Sequence, residues 1–174
     1  HLGEKKHWRK MCLWEESTKV PMLWVLPDRK NSGRVCSRPV SLVDVYPTVS
    51  DILGEQPTRD HDGTSLLPLL NDPDAERSEP VLSTWQYGNH SLRDQRWHNI
   101  RYRDGSEELY DHKTDPNEHT NLASDPKYLA QKEQLKQSLP DVDCTFEEDP
   151  LADSLGKRAS QWKQDRSLIP EWLK

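Results

Sequence analysis

The chain has 174 residues, with 24 Lys and Arg against 30 Asp and Glu for a net charge of −6, and its 32% hydrophobic content is matched by 31% charged residues. That acidic balance, with no long block of Lys and Arg, removes the electrostatic footprint that nucleic acid or an acidic membrane partner requires, and no apolar run approaches the ~18 residues of a membrane span. Core-forming residues are sparse for an independent domain of this length and gather in a few short segments, with 13 prolines against 7 glycines, so the expectation is a piece of a larger protein.

In chain order, residues 1–21, HLGEKKHWRKMCLWEESTKVP, bring together His1, His7, four lysines, Trp8 and Trp14. The apolar run VPMLWVLP (20–27) follows at once; bounded by prolines, it predicts a strand covered on both faces. Lys10 stands a few residues before that strand, where α/β sheets place ligand-contacting side chains. An ammonium there, with the imidazole of His7 beside it, can neutralise a sulfate or phosphate ester and protonate a leaving oxygen. The plain alternative is a solvated lysine and an ordinary loop histidine. Trp8 and Trp14 read as core or interface aromatics.

Cys12, Cys36 and Cys144 are widely spaced and indicate neither a zinc site nor a disulfide framework. Residues 28–40 are polar and turn-rich and contain CSRP at 36–39. Conversion of a cysteine to a formylglycine nucleophile needs Pro at plus two and Arg at plus four. Here Arg38 is at plus two and Pro39 at plus three, so Cys36 is not that nucleophile. SLVDVYPTVSDILG (41–54) predicts a helix, with Leu42, Val45, Tyr46, Val49, Ile52 and Leu53 at helical spacing, Ser41 as N-cap with Asp44 three residues on, Pro47 bending the first turn and Gly54 at the end. Strand, loop and helix in this order predict the last unit of an α/β sheet.

Residues 60–80 read as a linker around Leu66, Leu67, Leu69 and Leu70. Within it DHDG (60–63) is turn chemistry with a helix cap rather than a metal site, because adjacent ligands converge poorly. VLSTWQY, HSLR, WHNIRY and EELYD, separated by turns, predict a meander of four antiparallel strands. There His90 and Arg93 lie near a tight turn at Gly88. Arg93, Arg96, Arg101 and Arg103 either face an anionic substrate or pair across strands with Glu107, Glu108 and Asp111. DPKYLAQKEQLKQSLP predicts a helix over 126–139, capped by Asp125 with Pro126 in its first turn and Tyr128, Leu135 and Leu139 on one face. From Asp141 the chain is expected to run extended over the surface, with Trp162 and Trp172 as anchors.

Four of these stretches, HLGEKKHWRKMCLWEESTKVPMLWVLP, VSLVDVYPTVSDILG, DGTSLLPLL and RWHNIRYRDGSEELYDHKTDPNEHTNLA, closely resemble in order and spacing the C-terminal part of the type I, formylglycine-dependent sulfatases, of the iduronate-2-sulfatase-like and bacterial polysaccharide sulfatase kind. The likeness covers about residues 1–140. It implies an α/β fold: the end of an alkaline-phosphatase-like mixed sheet domain at 1–75, a small antiparallel-sheet subdomain at 76–140, and a tail at 141–174. It also implies a parent enzyme, periplasmic or secreted, that uses Ca2+ and a formylglycine hydrate to cleave sulfate esters of a sulfated saccharide.

Lys10 falls on that family's sulfate-binding lysine, and His7, His90 and Arg93 become candidate substrate contacts. The family's metal-ligand triplet and nucleophile motif are not in residues 1–174, so the N-terminal part of the same protein is an implied partner and the fragment alone is expected to be inactive. Two other readings stay open: a phosphatase or phosphodiesterase of the same superfamily, and a non-catalytic anion- or glycan-binding module.

Overall fold

The computed structural model describes residues 3–8, 10–28 and 31–140; the expected tail therefore lies outside the described residues. Its centre is the predicted meander. Strands β1 (Val81–Thr84), β2 (His90–Arg93), β3 (Trp97–Arg101) and β4 (Glu107–Asp111) form one antiparallel sheet in sequential order. The register pairs Leu92 with Asn99 and Asn99 with Leu109, so alternation sends Leu92, Trp97 and Leu109 to one face. Leu135 and Tyr128 close over that face. They come from a 3₁₀ turn (Pro126–Tyr128) that continues into a helix (Leu129–Lys136), with the Asp125 carboxylate accepting the Lys127 amide at 2.9 Å. Lys132 and Lys136 of this helix reach Glu107 on β4 at 2.7 and 2.5 Å. The other face carries Ile100 and Tyr110 and receives Leu13, with Trp14, from the N-terminal segment. That segment includes a short helix, α1 (Glu15–Thr18).

The predicted helix over 41–54 is present as a 3₁₀ turn (Leu42–Asp44) running into α2 (Val45–Leu53), opened by the Ser41–Asp44 capping box and closed by left-handed Gly54. Its inner side is polar. Asp44 is 1% exposed and Thr48 0%, whereas Leu42 and Leu53 are 66% and 68% exposed. The Asp44 carboxylate accepts the amides of Ser41 and Thr64, each at 2.8 Å, and pairs with Arg77 at 3.0 Å. Thr48 Oγ1 donates to the Asp44 carbonyl and accepts the Leu66 amide at 2.8 Å. The expected linker thus lies along α2, and part of it folds as α3 (Leu67–Asn71), burying Leu66 and Leu69. In DHDG, Gly63 passes so close to Val43 that a Cβ would stand 2.2 Å from its carbonyl oxygen.

One expectation is corrected. Residues 20–27 form no ladder, and Leu23 and Val25 are 86% and 78% exposed while Met22, Trp24 and Leu26 are half-buried. A strand exists through the backbone partners beside it, and no described segment pairs with this one. The apolar run therefore alternates in exposure instead of being covered on both faces.

Two outcomes follow. Gly63→Ala forces Cβ against a carbonyl it cannot avoid and is expected to cost about 1–3 kcal/mol, read as a lower midpoint in urea unfolding with unchanged slope. In limited proteolysis, residues 19–27 are expected to be cut well before 81–136, because the first have no ladder and the second are sheet and packed helix.

Candidate functional site

Period-two alternation builds the second face of the sheet. Arg93, His98 and Tyr110 form one cross-strand row, and Ser91, Ile100 and Glu108 form the next. Glu108 collects three donors: Trp14 Nε1 at 2.6 Å, the Tyr110 hydroxyl at 2.7 Å and the Tyr102 hydroxyl at 3.2 Å. Burial, followed by the Glu108 charge and hydrogen bond, pushes both phenols above the ordinary tyrosine range and keeps them donors. Lys5, in left-handed backbone (φ 52°), donates to the Tyr110 hydroxyl at 3.1 Å and lies 4.6 Å from the Trp14 ring centroid. Burial lowers the Lys5 ammonium below the usual lysine value, against the pull of Glu118 and Glu108.

After β4 the chain turns back over this face. The Asp115 carboxylate accepts the amides of His119 and Thr120 at 3.0 and 2.7 Å, and the tight loop leaves Glu118 at φ 58° with its side chain 2% exposed. Glu118 Oε1 takes His112 Nε2 at 2.8 Å and His98 Nδ1. Oε2 takes the Glu15 amide at 3.0 Å and faces Lys5 Nζ at 4.0 Å. Glu15 returns through its own carboxylate to Arg93 Nε at 3.2 Å, and the Arg93 guanidinium meets His112 Nδ1 at 3.0 Å. Glu118, Glu15, Arg93 and His112 therefore form a closed ring. Arginine can only donate, so His112 Nδ1 accepts from it and the ring proton sits on Nε2, pointing at Glu118.

Glu15, His98, His112 and Glu118 hold donor atoms within 4.8 Å of one another, a spacing a cation could bridge. The chemistry argues against one. Both carboxylates are already matched by Arg93 and Lys5, and a metal on His112 Nε2 would drive the ring proton to Nδ1, against the Arg93 donor. Calcium in particular takes oxygen ligands, and two of these four donors are imidazoles. The group is a proton-linked clasp.

The residues marked in the sequence are dispersed. Lys10 is exposed, in the loop between Lys5 and Glu15. His7 is half-buried, its ring 5.6 Å edge-on from Trp14. His90 is 2% exposed and bonds Thr84 Oγ1 at 2.9 Å. Arg93 belongs to the ring, while Arg96 follows the cross-strand alternative and grips Asp111 with two bonds of 2.8 and 2.7 Å. His98, His112 and Glu118 were missed. Two signals could have found them: the alternation that puts His98 and Arg93 in one row, and the carboxylate of DPNE just past a strand.

The model of the family described as N-sulphoglucosamine sulphohydrolase, C-terminal, matches residues 3–144. The chain belongs to the sulfatase family. It is 32% identical over 146 residues to a sulfatase of Formosa agariphila, covering 84% of this chain and 29% of that protein. It is 36% identical over 135 residues to human arylsulfatase K, covering 69% and 25%. Among solved structures, a 2-O GAG sulfatase shares 30% identity over 72% of this chain and 26% of that one, with a TM-score of 0.47. This sulfatase segment thus spans between a quarter and a third of the length of such relatives. No helix among the described residues is long and apolar enough to cross a membrane.

The clasp has a pH signature. Burial pushes the Glu118 carboxyl up, but hydrogen bonds from His112 and His98, the His98 charge and the Glu15 amide outweigh it and hold the group well below the usual carboxylate range. A carboxyl depressed in the folded state adds stability that is complete above its unfolded value of about 4.3 and is lost as pH falls below it. Glu118→Gln is expected to cost about 3 kcal/mol near neutral pH, since it breaks a buried charged network, and the gap to the unmodified chain should narrow steadily below about pH 4. Urea unfolding of both proteins from pH 7 to pH 3 measures it.

Proposed function

We propose that the polypeptide containing this chain hydrolyses sulfate esters of a sulfated saccharide and that Lys10 binds the sulfate, with His7 near it. The observation that carries this reading is the family match over residues 3–144 with its sulfatase relatives, together with an exposed lysine in a loop held at one end by Lys5 on Tyr110 and at the other by the Glu15 amide on Glu118. In this reading His90 and Arg93 have structural neighbours of their own, and the substrate-facing cation is Lys10.

The ammonium of Lys10 would offset the charge of the sulfate and stabilise the additional charge that develops on its oxygens as the ester bond breaks. In the same proposal the imidazole of His7, which stands edge-on to Trp14, shares that role or carries a proton. Ca2+ and the formylglycine nucleophile belong to the same proposal, and both lie with residues outside this chain. Bound calcium would supply Lewis-acid polarisation of the sulfate. The clasp described above does not hold it.

The second enzymatic reading, a phosphatase or phosphodiesterase on the same scaffold, makes the opposite substrate ranking. In the full-length protein, Lys10→Ala is expected to lower turnover of an aryl sulfate by about 10²-fold or more, as loss of a charge-stabilising contact does elsewhere. The unmodified enzyme should cleave the aryl sulfate far faster than the matching phosphate mono- and diesters. Unchanged turnover in the variant would remove Lys10 from the site. A phosphate preference would transfer the reading to the other ester class.

A further inference from the structure

We infer that Glu118 is the positioning residue for Lys10: one buried carboxylate receives both ends of the Lys5–Glu15 loop and thereby fixes where the lysine is presented. The inference rests on the assignment of Lys10 proposed above.

The geometry is specific. At one end of the loop the Glu15 amide donates to Glu118 Oε2 at 3.0 Å; at the other, Lys5 Nζ, hydrogen-bonded to the Tyr110 hydroxyl at 3.1 Å, holds its charge 4.0 Å from the same oxygen. Lys10 stands midway between them and is exposed, so its placement is inherited from these ends and from the short-range bond of the Cys12 amide to its carbonyl at 2.8 Å. The opposite oxygen, Oε1, is occupied by His98 and His112, which orient the carboxylate from the sheet side. Glu15 is gripped a second time through Arg93, whose guanidinium is set by His112. Leu13, 2% exposed, packs beside Ile100 and Tyr110 and completes the C-terminal half of the loop. A cation that must sit within a few tenths of an ångström of a reacting group needs such a support, because a displacement of about 1 Å costs on the order of 10²-fold in rate.

An arrangement of this kind makes a quantitative demand: a residue that acts only by placing Lys10 has nothing left to place once Lys10 is gone. The experiment is a double-mutant cycle in the full-length enzyme with an aryl sulfate, using Lys10→Ala, Glu118→Gln and both together. Glutamine keeps the shape of Glu118 but replaces one acceptor oxygen by an amide nitrogen that faces other donors. Alone, Glu118→Gln is expected to lower kcat/KM by about 10- to 100-fold through loss of loop placement. On the Lys10→Ala background the same change should cost less than about 3-fold, which is the non-additivity of residues acting as a unit.

Lys5→Met is the second route, chosen because it removes one loop tether while keeping an apolar stem against Trp14 and Tyr110. It should give a smaller loss that likewise vanishes without Lys10, and it carries the cycle if Glu118→Gln fails to fold. Equal factors in both backgrounds, or no loss from Glu118→Gln in the unmodified enzyme, would overturn the positioning role while leaving the sulfatase reading standing. A Lys10→Ala enzyme of full activity would instead defeat the assignment of Lys10 and this inference with it.

Discussion

A carboxylate that is 2% exposed must be surrounded by donors or it will not stay charged, and much of the N-terminal half of this site follows from that requirement at Glu118. His98 of the sheet and His112 just past it supply two donors, and the segment before residue 20 supplies the Glu15 amide, with the Lys5 ammonium 4.0 Å away as a compensating charge. Removing the segment would leave the carboxylate half-satisfied, and removing the sheet would leave the segment without its seat. A polar group in this position ties two parts of the chain more specifically than an apolar contact does, because its partners must match in number and direction as well as in shape. Leu13 on Ile100 and Tyr110 adds area to the joint, but the direction in which Lys5 and Glu15 face is set by hydrogen bonds.

The same device recurs at Asp44. There a carboxylate on the inner side of a helix gathers two amides and an arginine and draws the DHDG turn and the stretch after it against α2. The apolar residues of that helix point the other way, as do Leu23 and Val25 of the preceding run. Around α2 the described residues thus have a polar hub within and apolar stripes without, whereas the sheet keeps an apolar cluster on each face. Such stripes are what one expects of a chain that spans about a quarter of its relatives' length.

Several elements were legible in the sequence because local chemistry determines them. Aromatic and β-branched runs separated by short turns gave the meander, Asp125 and Pro126 gave the start of the last helix, and Ser41, Asp44 and Gly54 gave both ends of α2. The family was legible too, through ordered motifs with fixed spacing, and with it Lys10 as a residue to watch. What the local pattern could not show is which side of α2 would be covered. A helical stripe of Leu42, Val45, Tyr46, Val49, Ile52 and Leu53 states that one face is apolar, and only the neighbours present decide whether it is buried.

The run at 20–27 stands without a ladder for the same reason: an apolar run becomes a strand when another strand pairs with it, and no described segment does so here. The clasp lay further still from sequence reading. Glu15, Arg93, His98, His112 and Glu118 are ordinary residues in five separate places, and although strand alternation puts Arg93 and His98 in one row, no local pattern joins Glu15 or Glu118 to them. The sequence by itself determined the turns, caps, meander and family. Only the tertiary structure decided that a left-handed turn after β4 brings Glu118 back over the sheet, because long-range hydrogen bonds between residues about 100 positions apart depend on how the chain closes rather than on any local preference.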